Sequence, residues 1–269
     1  MADVKDTPKP FVKKGYEFFK EKDCSQEYER DGEGGPMVAT WKGEEARSYR
    51  KVAEEYFAHV EQVCDEGLED WTALGTKDGI QFERSKSRTE GGNGYFRLKA
   101  RLAVRPELLM ACIATPDCIG ALDETTVYQK VVEKVNAHTD IVHTVAAPGP
   151  IFAYRDFLDL ASWRKDENGV LWQMAVSIPS AGLYPHYGCI RGYVMYWGYK
   201  FSPVSVNGEI HTDVVCVSQS DIRGWMPPAL TNNFVGPVLA DYVHKLEVVA
   251  LDIIAKGQDE DLVKSAGII

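Results

Sequence analysis

Several common targeting signals are missing from this chain of 269 residues. No run of residues approaches the roughly 18 uncharged apolar positions of a membrane-spanning helix. The N-terminal stretch MADVKDTPKPFVKKGYEFF lacks the apolar segment of a secretory signal. The six cysteines are scattered without a CxxC pair, which is typical of buried thiols in a reducing compartment. We therefore expect a cytoplasmic protein.

Catalytic and metal-binding signatures are also missing. The histidines form neither HExxH nor HxH, and the sequence contains no GxSxG, P-loop or GxGxxG motif. The spacing of His138, Asp140 and His143 permits a metal site, but a solvated loop is the favoured interpretation. The sequence therefore predicts neither an enzyme nor a bound metal or cofactor.

The charge balance disfavours one class of partner. Forty acidic residues outnumber thirty basic ones, and the formal net charge is −10. A general nucleic-acid binder needs a basic face to neutralise phosphates, so no nucleic-acid partner is expected. Hydrophobic residues make up 45% of the chain, which is typical of a packed globular core.

The order of predicted elements indicates an α+β fold. Strands are grouped in the sequence and do not alternate with helices, which favours a curved antiparallel sheet under a long C-terminal helix. Residues 123–136 are predicted as a helix because valines recur every four positions. The other predicted helices cover 44–66, the stretches opening at Pro106 and at 115–117, and about 227–256. The predicted strands are two within 71–86, one from 95 to 104, and others near 140–146, 155–164, 170–179, 189–201 and 209–220.

These elements suggest three regions along the chain. Residues 1–43 are polar and are predicted to be an N-terminal extension, residues 44–257 a single domain, and residues 258–269 a C-terminal tail. Within the domain, the strand CIRGYVMYWGYKF is apolar on both faces, with Tyr193, Met195 and Trp197 on one of them. Such a strand either is packed on both sides or borders a cavity.

The last helix begins without charge. No charged residue occurs between Gly224 and Ala240. Two prolines, Pro227 and Pro228, fit its first turn. Gly236 and Pro237 are expected to break the hydrogen-bond ladder and to form a kink or hinge.

Three short motifs then occur in order. They are Tyr154-Arg155-Asp156-Phe157-Leu158, Cys189-Ile190-Arg191-Gly192, and SQSDIRGWMP at 218–227. In this order they resemble the START (steroidogenic acute regulatory protein-related lipid transfer) domain. The resemblance covers roughly residues 44–256 and implies a helix-grip fold, in which the sheet wraps around the C-terminal helix and encloses a lipid tunnel.

The resemblance also implies a function. START domains hold one lipid, so we expect this chain to bind a single lipid, to touch membranes transiently and to transfer the lipid between them. The C-terminal helix and the loop 146–154 would form the lid. A lipid-sensing regulatory or interaction protein is the alternative, and an enzyme that uses the same cavity is a further one.

The family's known ligand positions leave the lipid class open among phospholipid, sphingolipid and sterol. The phosphate-binding arginine of the phosphatidylcholine carriers corresponds to Ile119. Their choline-binding aromatic positions correspond to Phe157, Met195 and Thr144, so only one aromatic remains. The interior arginine and acid of the sterol-binding members correspond to Ala161 and to Val142, and that pair is absent as well.

Strand alternation places Asp159 on the same face as Phe157 and Ala161. If that face lines a tunnel, Asp159 is a buried carboxylate that needs a partner, and Arg191 is the candidate. The alternative is that Asp159 faces solvent beyond a bulge. The residues predicted to contact lipid are Phe157, Asp159, Arg191, Tyr193, Met195, Trp197, Leu230, Phe234 and Val238. The residues predicted to form the lid and to touch the membrane are Pro148, Gly149, Ile151, Phe152, Trp225 and Met226.

Overall fold

A computed structural model describes residues 9, 11–14, 37–38, 47–88, 94–149, 151–178, 188–224 and 228–268. For residues 37–38, 47–48, 117 and 228–237 it describes the backbone alone. Most of the predicted N-terminal extension, and the predicted lid residues Trp225 and Met226, lie outside these ranges.

The predicted helices and strands occur in the predicted order except at residues 123–136, and the structure adds short elements that were not predicted. The helices are α1 (Tyr49–Asp65), α2 (Pro106–Ala114), α3 (Pro116–Leu122), α4 (Pro228–Ala255) and α5 (Asp259–Ser265), with a 3-10 turn at Leu68–Asp70. The strands before α2 are β1 (Phe11–Val12), β2 (Met37–Val38), β3 (Arg47–Ser48), β4 (Trp71–Lys77), β5 (Ile80–Ser85) and β6 (Phe96–Leu102). The later strands are β7 (Thr126–Asn136), β8 (Thr139–Ala146), β9 (Tyr154–Lys165), β10 (Leu171–Ser177), β11 (Cys189–Arg191), β12 (Tyr193–Val206) and β13 (Glu209–Asp221).

Within the described residues, eleven strands form one sheet, in the order β1-β7-β8-β9-β10-β12-β13-β6-β5-β4 with β11 beside β9. Neighbouring strands are antiparallel except β11, which runs parallel to β9. Grouped strands joined by short connections give antiparallel pairing. The predicted α+β fold with an antiparallel sheet and a long C-terminal helix is therefore confirmed.

The two faces of the sheet pack against different helices. One face packs with α2, α4 and α5 in the larger hydrophobic core, and we call it the α4 face. The other packs with α1 in a second core, and we call it the α1 face. Since successive residues of a strand point to opposite faces, residues of β9 and β10 contribute alternately to the two layers.

Helix α1 approaches the sheet closely because of a glycine. Its buried side chains recur on one stripe that includes Val52, Val60 and Val63. Val60 lies over Gly198 of β12, where an added Cβ atom would come within 2.6 Å of the valine methyl groups. Glycine at this position therefore sets the distance between helix and sheet.

The prediction of a helix over residues 123–136 is wrong, because residues Thr126–Asn136 form β7. A four-residue spacing of valines fits a helical turn, but it also fits two steps of strand alternation. Thr126, Val127 and Val131 are β-branched, which favours the extended conformation. Register shifts along the β7–β8 pair also disturb the simple alternation that identifies a strand.

Both ends of the chain contribute to the packing. Phe11 and Val12 form β1 on the outer edge of β7, and the Phe11 ring covers Gly120 of α3. In the predicted tail, α5 buries Val263, and Ile268 beyond it is buried in the same core. The predicted extension and tail thus contain segments that pack on the domain.

The long helix α4 confirms the predicted last helix over about 227–256. It is continuous across Gly236 and Pro237, so the proline removes one hydrogen bond without ending the helix. None of the helices in the described ranges is both long enough and apolar enough to cross a membrane.

Candidate functional site

The α4 face of β9 borders an internal space. Leu158 and Leu160 point to the α1 face and are almost completely buried. Phe157, Asp159 and Ala161 point the other way and keep part of their surface open, although β9 lies in the interior of the sheet. The partly open side chains on this face leave space above an interior strand, on the side of the sheet that faces α4, and we call this space the cavity.

Strand β10 repeats this pattern beside it. Gln173 and Ala175 are partly open, whereas Trp172 and Met174 between them are buried. Ala175 lies directly opposite Ala161 in the β9–β10 register. Because both side chains are methyl groups, this alanine pair leaves free volume between the sheet and α4, and we call it the alanine floor.

Aromatic side chains line the cavity beside Ala175. Trp197 of β12 lies opposite Ala175, and its ring meets those of Tyr199 and Tyr242 edge-on, each at 6.0 Å between centroids. Tyr242 belongs to α4, so this contact joins the sheet to the helix. Trp197 therefore lies on the cavity side as predicted, and its contact with lipid stays a prediction.

Asp159 is the ionisable group closest to the alanine floor on β9. Its Oδ1 accepts a hydrogen bond of 2.6 Å from Ser177, whose Oγ accepts the Val194 amide at 2.8 Å. Burial raises the pKa of Asp159 to about 7, although the Ser177 hydrogen bond and the Arg191 charge act in the opposite direction. The carboxyl group lies deep in the protein and still has open surface, as expected for a group that lines a cavity.

The predicted ion pair between Asp159 and Arg191 is wrong. Arg191 donates hydrogen bonds to Asp156, from Nε at 3.1 Å and from Nη2 at 2.8 Å. Parallel pairing sets Arg191 beside Asp156, which alternation places on the opposite face of β9 from Asp159. The alternative of a bulge is also wrong, since β9 pairs with β8 and β10 around Asp159 without a register shift.

Asp156 has a second partner on its own face. His143 Nε2 lies 3.1 Å from Asp156 Oδ2. Burial alone would raise the pKa of Asp156, but the hydrogen bonds from His143 and Arg191 and their charges hold it below its usual value. Asp156 and Arg191 both belong to the motifs noted in the sequence, so the motifs themselves were the signal for this pair.

Two polar groups beside the cavity were not predicted to lie there. Asp140 lies opposite Ala161 on β8, and its Oδ1 is buried without a hydrogen-bond partner in the described part of the chain. Burial raises the pKa of Asp140, and the charge of Lys134 lowers it. The Oε1 of Gln173 is likewise buried and has no partner there. A glutamine inside the apolar run of β10 was the available signal.

A shift in strand register changes the predicted grouping on β12. Tyr193 pairs with Asp221 and Val194 with Ser220, but Tyr196 pairs with the adjacent Gln219, so Met195 is an extra residue in a bulge. The bulge breaks the alternation that grouped Tyr193 with Trp197. Instead, the Arg223 guanidinium lies 4.1 Å from the centroid of the Tyr193 ring.

On α4, the predicted contribution of Val238 to the roof of the cavity is wrong. Val238 is 52% exposed, whereas Leu239 and Val243 are buried in the core. The helix therefore presents the stripe that begins at Leu239 to the sheet. The side chains of Leu230 and Phe234 lie outside the described residues.

The loop before β9 is held at its base by Arg155. The guanidinium donates to the carbonyl oxygens of Ala153, Ile222 and Arg223 at 2.5, 3.3 and 3.1 Å. Arg155 thereby joins this loop to the segment that precedes α4. In the same loop, Ile151 is 83% exposed. The other predicted lid residues described here are Pro148, which is exposed, and Gly149 and Phe152, which are partly exposed.

The histidines and acids near β8 do not form a metal site. His143 faces Asp156 on the α1 face, Asp140 faces the cavity, and the His138 ring meets Trp163 edge-on at 4.2 Å. Throughout the described ranges, no group of three or more potential ligands converges on one point.

Comparison with known proteins gives one family. The START domain model matches residues 122–251. Mouse StAR-related lipid transfer protein 5 is 24% identical over 182 residues, which cover 66% of this chain and 84% of the relative.

Solved structures have the same fold. Human StAR-related lipid transfer protein 5 superposes with a TM-score of 0.69 at 16% identity, covering 76% of this chain and 97% of that one. Human STARD10 superposes with a TM-score of 0.67 at 14% identity, covering 84% and 86%. These similarities confirm the helix-grip fold.

Proposed function

We propose that this chain, in which the START domain model matches residues 122–251, binds a single lipid in the cavity beneath α4 and transfers that lipid between membranes. The open surface of Phe157, Asp159 and Ala161 carries this proposal, since these residues lie on a strand in the interior of the sheet. A space between a sheet and a helix, lined by aromatic side chains and a few polar groups, suits a mostly apolar ligand.

The energetics of the ligand require a membrane step. Each buried methylene group contributes about 0.8 kcal/mol, so a lipid with two acyl chains does not escape into water at a useful rate. Exchange therefore takes place when the protein opens against a bilayer. The association is transient, and the protein works from the cytoplasm.

The loop at residues 146–154 and the C-terminal helix α4 form the lid in this proposal. The loop is uncharged, and Ile151 projects from it into solvent. An apolar tip of this kind enters the interface of a bilayer without the free-energy cost of burying a charge. Arg155 bonds the base of the loop and the segment that precedes α4, so both parts of the lid are anchored at this residue.

The protein acts in this proposal as a carrier without catalysis and without a cofactor. Asp156 and His143, which could serve as an acid–base pair, bond each other on the α1 face of the sheet. The cavity-facing carboxyl groups belong to Asp140 and Asp159. Both groups suit hydrogen bonding to a ligand.

A fluorescence assay of lipid transfer between donor and acceptor vesicles tests the proposal. Ala175→Trp would fill the alanine floor, so transfer should slow at least about tenfold while the fold is retained. Ile210→Trp, on a residue that is 52% exposed, is the matched control and should transfer lipid normally. Lipid uptake without transfer would favour a lipid-sensing protein, and no uptake at all would contradict the proposal.

A further inference from the structure

Four acceptor-bearing side chains surround the alanine floor. Asp140 lies directly beside Ala161 across the β8–β9 pair. Two residues from the alanine pair, Asp159 of β9 lies opposite Ser177 of β10. In the other direction along β10, Gln173 lies two residues from Ala175. Strands β8, β9 and β10 thus hold carboxylate, hydroxyl and amide oxygens around two methyl groups.

Two of these acceptors are buried without a donor. They are Asp140 Oδ1 and Gln173 Oε1, neither of which has a hydrogen-bond partner among the described residues. A buried acceptor without a partner costs on the order of 1–3 kcal/mol, so such atoms are rare unless something else supplies the donor. Both side chains are partly open on the cavity side, so a ligand that packs there and shifts them can supply that donor.

The hydroxyl of Ser177 is not available to donate to a ligand. Its proton is donated to Asp159, and its oxygen accepts the amide of Val194. The pair of Ser177 and Asp159 therefore presents acceptor oxygens to the cavity.

Two nearby cations are held elsewhere, and a third makes no hydrogen bond to the buried Asp140 oxygen. Arg191 bonds Asp156 on the α1 face, and Lys200 bonds Asp65 of α1. Lys134 lies opposite Asp140 on β7, and its charge lowers the pKa of Asp140 without a hydrogen bond to Oδ1. The alanine floor is thus bordered by acceptors and negative charge.

We infer that the buried polar end of the ligand is a hydrogen-bond donor without a phosphate, a hydroxyl or ammonium group, held by Asp159, Asp140 and Gln173. This inference rests on the proposed lipid-binding function. A hydroxyl or ammonium group supplies the donors that these oxygens need. A phosphate would set further acceptors and its own negative charge against two acidic groups in a space with little water.

The ionisation of the two acids is consistent with this ligand class. Burial raises the pKa of Asp159 to about 7, so this group can be neutral or ionised near neutral pH, and burial raises the pKa of Asp140 as well. A neutral carboxyl group accepts a hydrogen bond from a hydroxyl group, and a carboxylate pairs with an ammonium group. Both donor types can therefore be accommodated.

A competition experiment tests the inference. The delipidated full chain is incubated with vesicles of dioleoylphosphatidylcholine that contain equal small amounts of cholesterol, 1,2-dioleoylglycerol and sphingosine. Bound lipids are then identified by native mass spectrometry. We expect at least one phosphate-free lipid to be enriched about tenfold over its share of the vesicle, which corresponds to about 1.4 kcal/mol. Sphingosine alone would identify an ammonium donor, and cholesterol or the diacylglycerol a hydroxyl donor.

The variant Asp159→Asn identifies the residue responsible. Asparagine keeps the shape and can still accept from Ser177, but it presents an amide donor to the ligand, so the enrichment should fall about tenfold. Asp213→Asn, at an exposed carboxylate paired with Arg101, is the control and should leave the enrichment unchanged. Binding of phosphatidylcholine with no change in Asp159→Asn would overturn the inference but leave the proposed function standing. Binding of none of the lipids would contradict both.

Discussion

Arg191 holds Asp156 through two hydrogen bonds, at 3.1 and 2.8 Å, and thereby fastens β11 to β9. The two side chains are 11% and 0% exposed, so the ion pair is shielded from water. Asp159, three residues further along β9, is left to face the cavity. The separation of the two acids onto opposite faces is what makes one of them structural and the other available to a ligand.

The pair of Arg191 and Asp156 should be strongly coupled in stability. Arg191→Leu leaves a buried carboxylate without its main partner, which costs about 3–5 kcal/mol. The double variant Arg191→Leu with Asp156→Asn should lose clearly less than the sum of the single losses in urea unfolding. Arg191→Leu with Asp159→Asn should come much closer to additivity. Equal coupling in both cycles would reject the assignment of partners.

Asp159 should make the delipidated protein less stable as pH rises. Its pKa is about 7 in the folded protein and about 3.9 unfolded, so the folded state binds more protons between these values. Its contribution to the free energy of unfolding therefore falls by at most about 4 kcal/mol between about pH 4 and pH 7, and it is constant at higher pH. Asp159→Asn should remove this slope in unfolding measured against pH. An identical slope in the variant would show that Asp159 is not the group responsible.

Arg97 should contribute far more to the stability of the fold than Arg101 on the same strand. It is fully buried, bonds Glu83 at 2.6 Å and donates to the carbonyl oxygens of Val63 and Glu66 at the end of α1. Arg97→Met leaves the buried Glu83 with the more distant Lys99, at 3.5 Å, in place of its main partner, so unfolding should become easier by about 3–5 kcal/mol. Arg101→Met removes an exposed pair and should cost less than about 1 kcal/mol. Similar losses in thermal or urea unfolding would argue against this role of Arg97.

The tip of the lid should control the rate of exchange. Ile151→Asp introduces a charge where the loop would enter a bilayer, so vesicle transfer should slow about tenfold while the unfolding midpoint stays unchanged. Ile210→Asp, on an isoleucine that is also exposed, serves as the control and should transfer lipid at the normal rate. If both variants or neither slowed transfer, Ile151 would not be the membrane contact.

Patterns within single strands were predictable from the sequence. The alternation in β9 correctly placed Phe157, Asp159 and Ala161 on one face, since strand geometry depends only on local periodicity. The same reasoning failed for β7, where a four-residue spacing of valines suits both a helix and a strand. Local pattern alone does not distinguish the two when register shifts interrupt the alternation.

Contacts between distant strands were not predictable. Arg191 meets Asp156 because β11 runs parallel to β9, a pairing that the chain order does not reveal. The bulge at Met195 places Tyr193 outside the predicted row of side chains on β12. On α4, Leu239 is buried against the sheet, whereas Val238 is exposed. Each of these positions depends on packing or pairing that a local sequence pattern does not contain.

Native mass spectrometry of the protein purified from cells tests the central claim most directly. Binding in one cavity predicts a single added mass of one lipid per chain, which is released on denaturation. That mass should be lost in Ala175→Trp and kept in Ile210→Trp. A chain that carries no lipid and takes up none from vesicles, or one that binds several lipids regardless of Ala175→Trp, would contradict the claim.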